Sequence, residues 1–168
     1  MTEQRAFVDI ESYVELSQKG PCFICELING NPKYKHHIIY EDDAVIVFLD
    51  KYPTLYGRTL IAPKEHRIHV TADFTIDEYL ALQKLVYQVA EAIQQTMPTE
   101  RIYILTLGSN HGNSHVHWHV AALPPGVPYE QQQYHSLMFE NGYLDLSDEE
   151  MASLAQQISQ TMEKLSKG

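Results

Sequence analysis

Apolar residues along this chain recur with two different periods, and each change of period marks a change of element. Phe7, Ile10, Val14 and Leu16 loosely suit a short N-terminal helix, which Gly20-Pro21 breaks. Residues Cys22 to Asn29 predict a further short helix that stops at Asn29-Gly30. Three β-branched, apolar runs follow at His37–Tyr40, Ala44–Leu49 and Thr59–Ala62, bounded by the turn formers Glu41-Asp42-Asp43 and Tyr52-Pro53 to Tyr56-Gly57. They read as a meander of strands.

The period then lengthens. Thr75-Ile-Asp-Glu78 has the form of a capping box, in which the Thr and Glu side chains satisfy backbone N–H groups at a helix start. After it, Tyr79, Leu82, Leu85, Val86, Val89 and Ile93 fall at helical spacing as far as Met97-Pro98. Arg101–Leu107 and His115–Leu123 read as two more strands, separated by a turn rich in Ser, Asn and Gly. A polar stretch after Pro124-Pro125 leads to a second capping box, Ser147-Asp-Glu-Glu150. A final helix from Asp148 to about Leu165 carries Met151, Leu154, Ile158, Met162 and Leu165 on one face. The order predicts an α+β fold: a five-stranded, mainly antiparallel sheet, one long central helix, a short N-terminal helix and a C-terminal helix. With 168 residues, we expect one domain over 1–168.

Composition narrows the function. The formal net charge is −10, from 12 Lys+Arg against 22 Asp+Glu. That field opposes non-specific nucleic-acid binding, so any phosphate site must be local. The two cysteines, Cys22 and Cys25, sit close together, which suits a reducing compartment and a metal or redox role better than a secreted disulfide scaffold. The polar start has no apolar signal core, and no run approaches the roughly 20 apolar residues that span a bilayer. The expectation is a cytoplasmic protein with no membrane partner.

The densest chemistry is Ser114-His-Val-His-Trp-His-Val-Ala-Ala122. On a strand, His115, His117 and His119 share one face, while Val116, Trp118 and Val120 share the other. Adjacent imidazoles suppress one another's protonation. By themselves these residues leave open a zinc site and a nucleophilic histidine.

The alternating His/apolar pattern resembles the histidine-triad (HIT) superfamily, and other motifs resemble it in the same order. These are Cys22-Phe-Ile-Cys25-Glu-Leu-Ile-Asn-Gly, Tyr40-Glu-Asp-Asp43 with Val47-Phe-Leu-Asp50, and Pro53 to Gly57-Arg-Thr-Leu-Ile-Ala-Pro-Lys-Glu-His66. The resemblance covers about residues 22–123 and leaves 124–168 as a C-terminal extension carrying a helix.

It implies an enzyme, a nucleotide hydrolase or nucleotidyl transferase. His117 would attack the α-phosphorus of a diadenosine polyphosphate or an AMP conjugate, and His119 would hold the phosphate oxygens. Cleavage of the phosphoanhydride or phosphoramidate bond would pass through a nucleotidyl-histidine and release a nucleoside 5′-monophosphate. It further implies a nucleobase slot from Phe23, Ile24, Leu27 and Phe48, ribose contacts from Asp50, and phosphate or leaving-group contacts from Asn110, Asn113 and Ser114. Cys22 and Cys25 are half of a tetrahedral zinc site by spacing; as alternatives they are reduced thiols or a redox pair. Resemblance to zinc-containing branches would complete a structural Zn2+ site with His66 and His115, and implies a homodimer. Arg58 stands where the family carries a His that helps set the hydrogen bonding of the triad. Tyr129, Gln131 and Tyr134 are candidates for the leaving-group side. The competing function is a zinc-stabilised nucleotide sensor without turnover.

Overall fold

The computed structural model describes residues 4–107 and 113–167. A five-stranded antiparallel sheet forms the centre. It consists of β2 (Ile38–Glu41), β3 (Val45–Leu49), β4 (Thr59–Pro63), β5 (Arg101–Leu105) and β6 (Trp118–Leu123), in the order β2-β3-β4-β6-β5. A two-residue strand β1 (Arg5–Ala6) pairs with β7 (Tyr143–Leu144) as a separate ribbon.

Period-2 alternation along β3 and β6 sorts side chains onto two faces. Val47, Leu49, Ile61, Val116, Trp118, Val120 and Ala122 pack under the long helix α3 (Ile76–Thr96) and the C-terminal helix α5 (Asp148–Lys167). Leu82, Leu85, Val86, Val89 and Ile93 of α3 supply the matching stripe, as do Met151, Leu154, Ile158 and Met162 of α5. Both predicted capping boxes form, with reciprocal side-chain to backbone bonds between Thr75 and Glu78 and between Ser147 and Glu150.

The opposite face carries the site. There Ile46, Phe48, Leu60 and Ala62 pack on the short helix α2 (Phe23–Ile28) through Ile24, Phe23 and Leu27. Further along, Leu55, Ala121 and Leu123 meet Tyr103, Val127 and Leu137. Helix α1 (Ile10–Lys19) has no fully buried residue and starts three residues later than the pattern suggests.

Two expectations change. The sixth strand in the chain begins at Trp118 instead of His115, because Val116 N–H leaves the ladder and donates to the Arg67 carbonyl at 2.7 Å. The polar stretch after Pro125 is also structured: a short helix α4 (Tyr134–Leu137) and a 3-10 turn at Phe139–Asn141 lead into β7 and bring the chain back over the sheet.

Candidate functional site

The three histidines of the run face three different surroundings. His115 is fully buried. Its Nε2 donates to the Pro63 carbonyl at 2.8 Å, so its Nδ1 carries the lone pair. That lone pair faces Cys22 Sγ at 3.4 Å and Cys25 Sγ at 3.5 Å. His66 Nδ1 lies 3.3 Å from Cys25 Sγ, and one ligand atom from each of the four residues falls within 4.8 Å of every other.

Tetrahedral zinc, with Zn–S near 2.3 Å and Zn–N near 2.0–2.1 Å, requires S···N separations of about 3.5 Å, so the donor set fits a metal ion of that size. Its protonation chemistry fits too. Burial, then the neighbouring imidazoles of His66 and His117, hold His115 down at about 4, leaving it neutral. Burial and the adjacent Cys22 push the Cys25 thiol up to about 11, a cost that a bound cation would reverse.

His117 is oriented by the chain just before it, ahead of β6. Its Nδ1 donates to the His115 carbonyl at 2.8 Å, and its carbonyl accepts from Thr106 Oγ1 at 2.8 Å. A carbonyl only accepts, so the proton sits on Nδ1 and Nε2 presents a bare lone pair. Burial lowers the imidazole's pKa and outweighs the bond to the His115 carbonyl, which raises it. His119 packs against His117 with ring centroids 4.8 Å apart.

These two rings stand where two clefts meet. One cleft is lined by Phe23, Lys33, Tyr34, His36, Lys51 and Leu60. The other is lined by Arg58, Leu107, Leu137, Phe139, Glu140 and Ile10. Tyr13, Asp50, Tyr52, Asn113, His117 and His119 line both.

Of the residues expected in the nucleobase slot, Phe23 lines the first cleft. Ile24 and Phe48 are fully buried beneath it, and Leu27 packs on them, so these three form the floor and not the surface. His36, which sequence reasoning left without a role, stacks on Phe23 at 5.6 Å and meets Phe48 edge-on at 5.0 Å. Its Nδ1 bonds the Tyr34 carbonyl at 2.7 Å, and burial lowers its pKa.

Asp50 Oδ1 accepts from the Tyr52 N–H at 3.0 Å, and Oδ2 lies 3.4 Å from Arg58 Nε. Asn113 stands at the junction, its Nδ2 buried and without a hydrogen-bond partner among the described residues. Ser114 is half-buried and lines neither cleft, and Asn110 lies outside the described residues.

On the second cleft the tail contributes residues other than those expected. Tyr129 and Tyr134 are 89% and 80% exposed, and Gln131 is exposed as well. Leu137, Phe139 and Glu140 line the cleft instead. Phe139 is braced by Tyr13 at 5.2 Å, Tyr52 at 6.1 Å and Tyr143 at 6.0 Å. Both cysteines are free thiols, and no helix among the described residues is long and apolar enough to cross a membrane.

Comparison with known proteins bears on the family and the fold. The model of the family described as HIT domain matches residues 31–125. Protein hit of Bacillus subtilis is 34% identical over 107 residues, covering 61% of this chain and 70% of that protein. A hypothetical histidine triad nucleotide-binding protein of Sulfolobus tokodaii superposes with a TM-score of 0.68 at 26% identity, covering 86% of this chain and 93% of that one. A zinc-bound histidine triad family protein of Mycobacterium smegmatis shares the fold at a TM-score of 0.69 and 19% identity, over 90% of this chain and 98% of that one.

Proposed function

The chain belongs to the HIT domain family, and from that premise we propose that it is a nucleotide hydrolase or nucleotidyl transferase with His117 as nucleophile. The observation that carries this reading is the bond from His117 Nδ1 to the His115 carbonyl, which leaves Nε2 bare at the junction of two clefts. A phosphorus held there has room for a nucleoside on one side and a leaving group on the other. Attack by Nε2 forms an N–P bond as the bond to the leaving group breaks, giving a nucleotidyl-histidine. Water or another acceptor then displaces the imidazole and releases a nucleoside 5′-monophosphate.

The other residues take supporting roles. Phe23 and His36 flank the base, Asp50 is poised for the ribose, and Asn113 Nδ2 is a donor for a phosphate oxygen. His119 would meet charge as it develops on the phosphoryl group. The Cys22, Cys25, His66 and His115 set would hold a structural Zn2+. A closed set of four protein ligands has no position for substrate, so the ion's part would be to tie α2 to the histidine run.

We read the chain as a cytoplasmic protein that forms a homodimer. Supporting the dimer, β5 is an edge strand with Ile104 exposed, and α3 exposes Leu80 and Tyr87.

The test is to mix the protein with diadenosine tetraphosphate, quench early and weigh it. The expected mass carries one added nucleoside monophosphate, absent in His117→Ala. If neither that compound nor an adenosine phosphoramidate gives an adduct or turnover, the chain is a nucleotide sensor and the catalytic reading fails.

A further inference from the structure

Arg58 lies immediately before β4 and is only 9% exposed. Nη1 donates to Thr54 Oγ1 at 2.8 Å and to the Leu137 carbonyl at 3.2 Å, so the guanidinium is gripped both by the β3–β4 connection and by the tail. Nε lies 3.4 Å from Asp50 Oδ2, close enough for an ion pair but not aligned as a hydrogen bond. Nη2 lies 3.2 Å from His119 Nδ1.

A guanidinium has N–H donors, no lone pair and a permanent charge. His119 Nδ1 therefore faces a group that can only donate. It must accept, which puts the ring proton on Nε2. A histidine in place of Arg58 could reverse the donor and acceptor of such a bond; an arginine cannot.

We propose that Arg58 is a positioning residue that locks His119 in the Nε2–H tautomer, making His119 a fixed hydrogen-bond donor to the phosphoryl group and not a proton donor to the leaving group. The inference rests on the nucleotidyl-transfer reading above for its consequence, though not for its geometry.

When His117 Nε2 bonds to phosphorus, the leaving atom departs with its bonding pair. A neutral His119 that gave up its Nε2 proton would become an imidazolate, so the proton for the leaving group comes from water. Forming an imidazolium first would need the Nδ1 lone pair, and the Arg58 N–H occupies it. Burial and the Arg58 charge act in the same direction, holding the His119 pKa well below the ordinary histidine value. The contrast with His117 is complete: one ring is fixed by a carbonyl with its lone pair outward, the other by a cation with its proton outward.

The experiment records the two-bond 1H–15N correlations of the imidazoles in the metal-loaded, 15N-labelled protein at a single pH near 7.5. His119 is expected as the Nε2–H tautomer. Arg58→Met removes the donor and should give a mixture containing the Nδ1–H form. It should also slow formation of the nucleotidyl adduct by about 100-fold, the scale of a misplaced catalytic group, while leaving adenosine monophosphate affinity within about threefold. Arg58→Lys keeps a charged donor and should restore the tautomer and part of the rate.

A wild-type His119 found as Nδ1–H or as imidazolium overturns the proposal. So does an Arg58→Met variant whose tautomer and rate are both unchanged. Should Arg58→Met fail to fold, the wild-type spectrum and Arg58→Lys decide. A wild type that forms no adduct with any nucleotide defeats the functional reading alone, because the tautomer is read without turnover.

Discussion

His115 and His119 are four residues apart on one run of chain, both with Nδ1 free to accept, yet the first is fully buried, the second lines both clefts, and they serve opposite ends of the site. The first turns its lone pair toward two thiols, which a divalent cation can hold together. The second turns its lone pair toward a guanidinium and so presents a proton. Residue type is the same at the two ends. The partner across the sheet decides what each imidazole does: Pro63 and α2 at one end, Arg58 and the tail at the other. His117 lies between them and takes its orientation from the backbone of the first.

The two ends can be separated by mutation. The largest effect is expected from His117→Ala, which should lower adduct formation by about 10⁴-fold or more in single turnover. Metal content, measured by elemental analysis, should stay at the wild-type level. A variant that also lost its metal would join the two ends into one unit.

Next is Asn113→Ala, which removes a buried donor at the junction of the clefts and should slow the same step by about 100-fold. Since that amide nitrogen has no hydrogen-bond partner among the described residues, Tm should move by only about 2 °C or less.

Cys22→Ser, or removal of the metal by chelation, probes the other end. It should cost at least about 3 kcal/mol, roughly 10 °C in Tm, by loosening α2. Adduct formation per folded molecule should fall much less than in Asn113→Ala; an equal fall would make the metal end part of the reaction. Phe139→Ala removes the aromatic brace of the tail and should cost about 2 kcal/mol, or roughly 4–8 °C.

The smallest effect is a pH dependence confined to the metal end. Arg67, next to His66, binds both Glu65 and Glu78. Glu78 is held down at about 2, by Arg67 first and then by the Thr75 N–H. Because the folded value is depressed, this contribution is fully present above the ordinary glutamate pKa and is lost as pH falls from about 4.5 toward 2. The difference in Tm between wild type and Glu78→Gln should therefore shrink on acidification over that window. A difference constant with pH would remove the electrostatic account.

Much of this was legible in the chain. The strands, the two capped helices and the Cys22/Cys25 pair follow from local rules, namely period, capping box and ligand spacing, whereas His66 and His115 are joined to that pair only by the family resemblance. The resemblance implies a backbone carbonyl behind His117, and the one found lies two residues away, at His115, ahead of β6. What escaped was non-local or too short to carry a period. A two-residue strand such as β1 has no pattern of its own, and its partner lies more than 130 residues away. The tail reads as polar because its contacts are single side chains, Leu137 and Phe139, spaced by neither 2 nor 3.6. Arg58 stood out as a departure, but only the fold places Leu137, Thr54 and His119 around its guanidinium. His36 carried no signal beyond being one histidine among nine.

The β1–β7 ribbon also has a consequence in time. Arg5 pairs with Leu144, and its guanidinium reaches the carbonyls of Gly142 and Thr54. During synthesis the first strand must therefore wait, unpaired, until residues 143 and 144 have been made, since closing so long a loop precedes any contact that rewards it. The sheet and the histidine run can form earlier, but the second cleft is walled only when residues 137–144 arrive. A chain made only as far as residue 136 would hold the proposed nucleophile before it holds the wall, so the arrival of residues 137–144 marks the moment at which the second cleft takes shape.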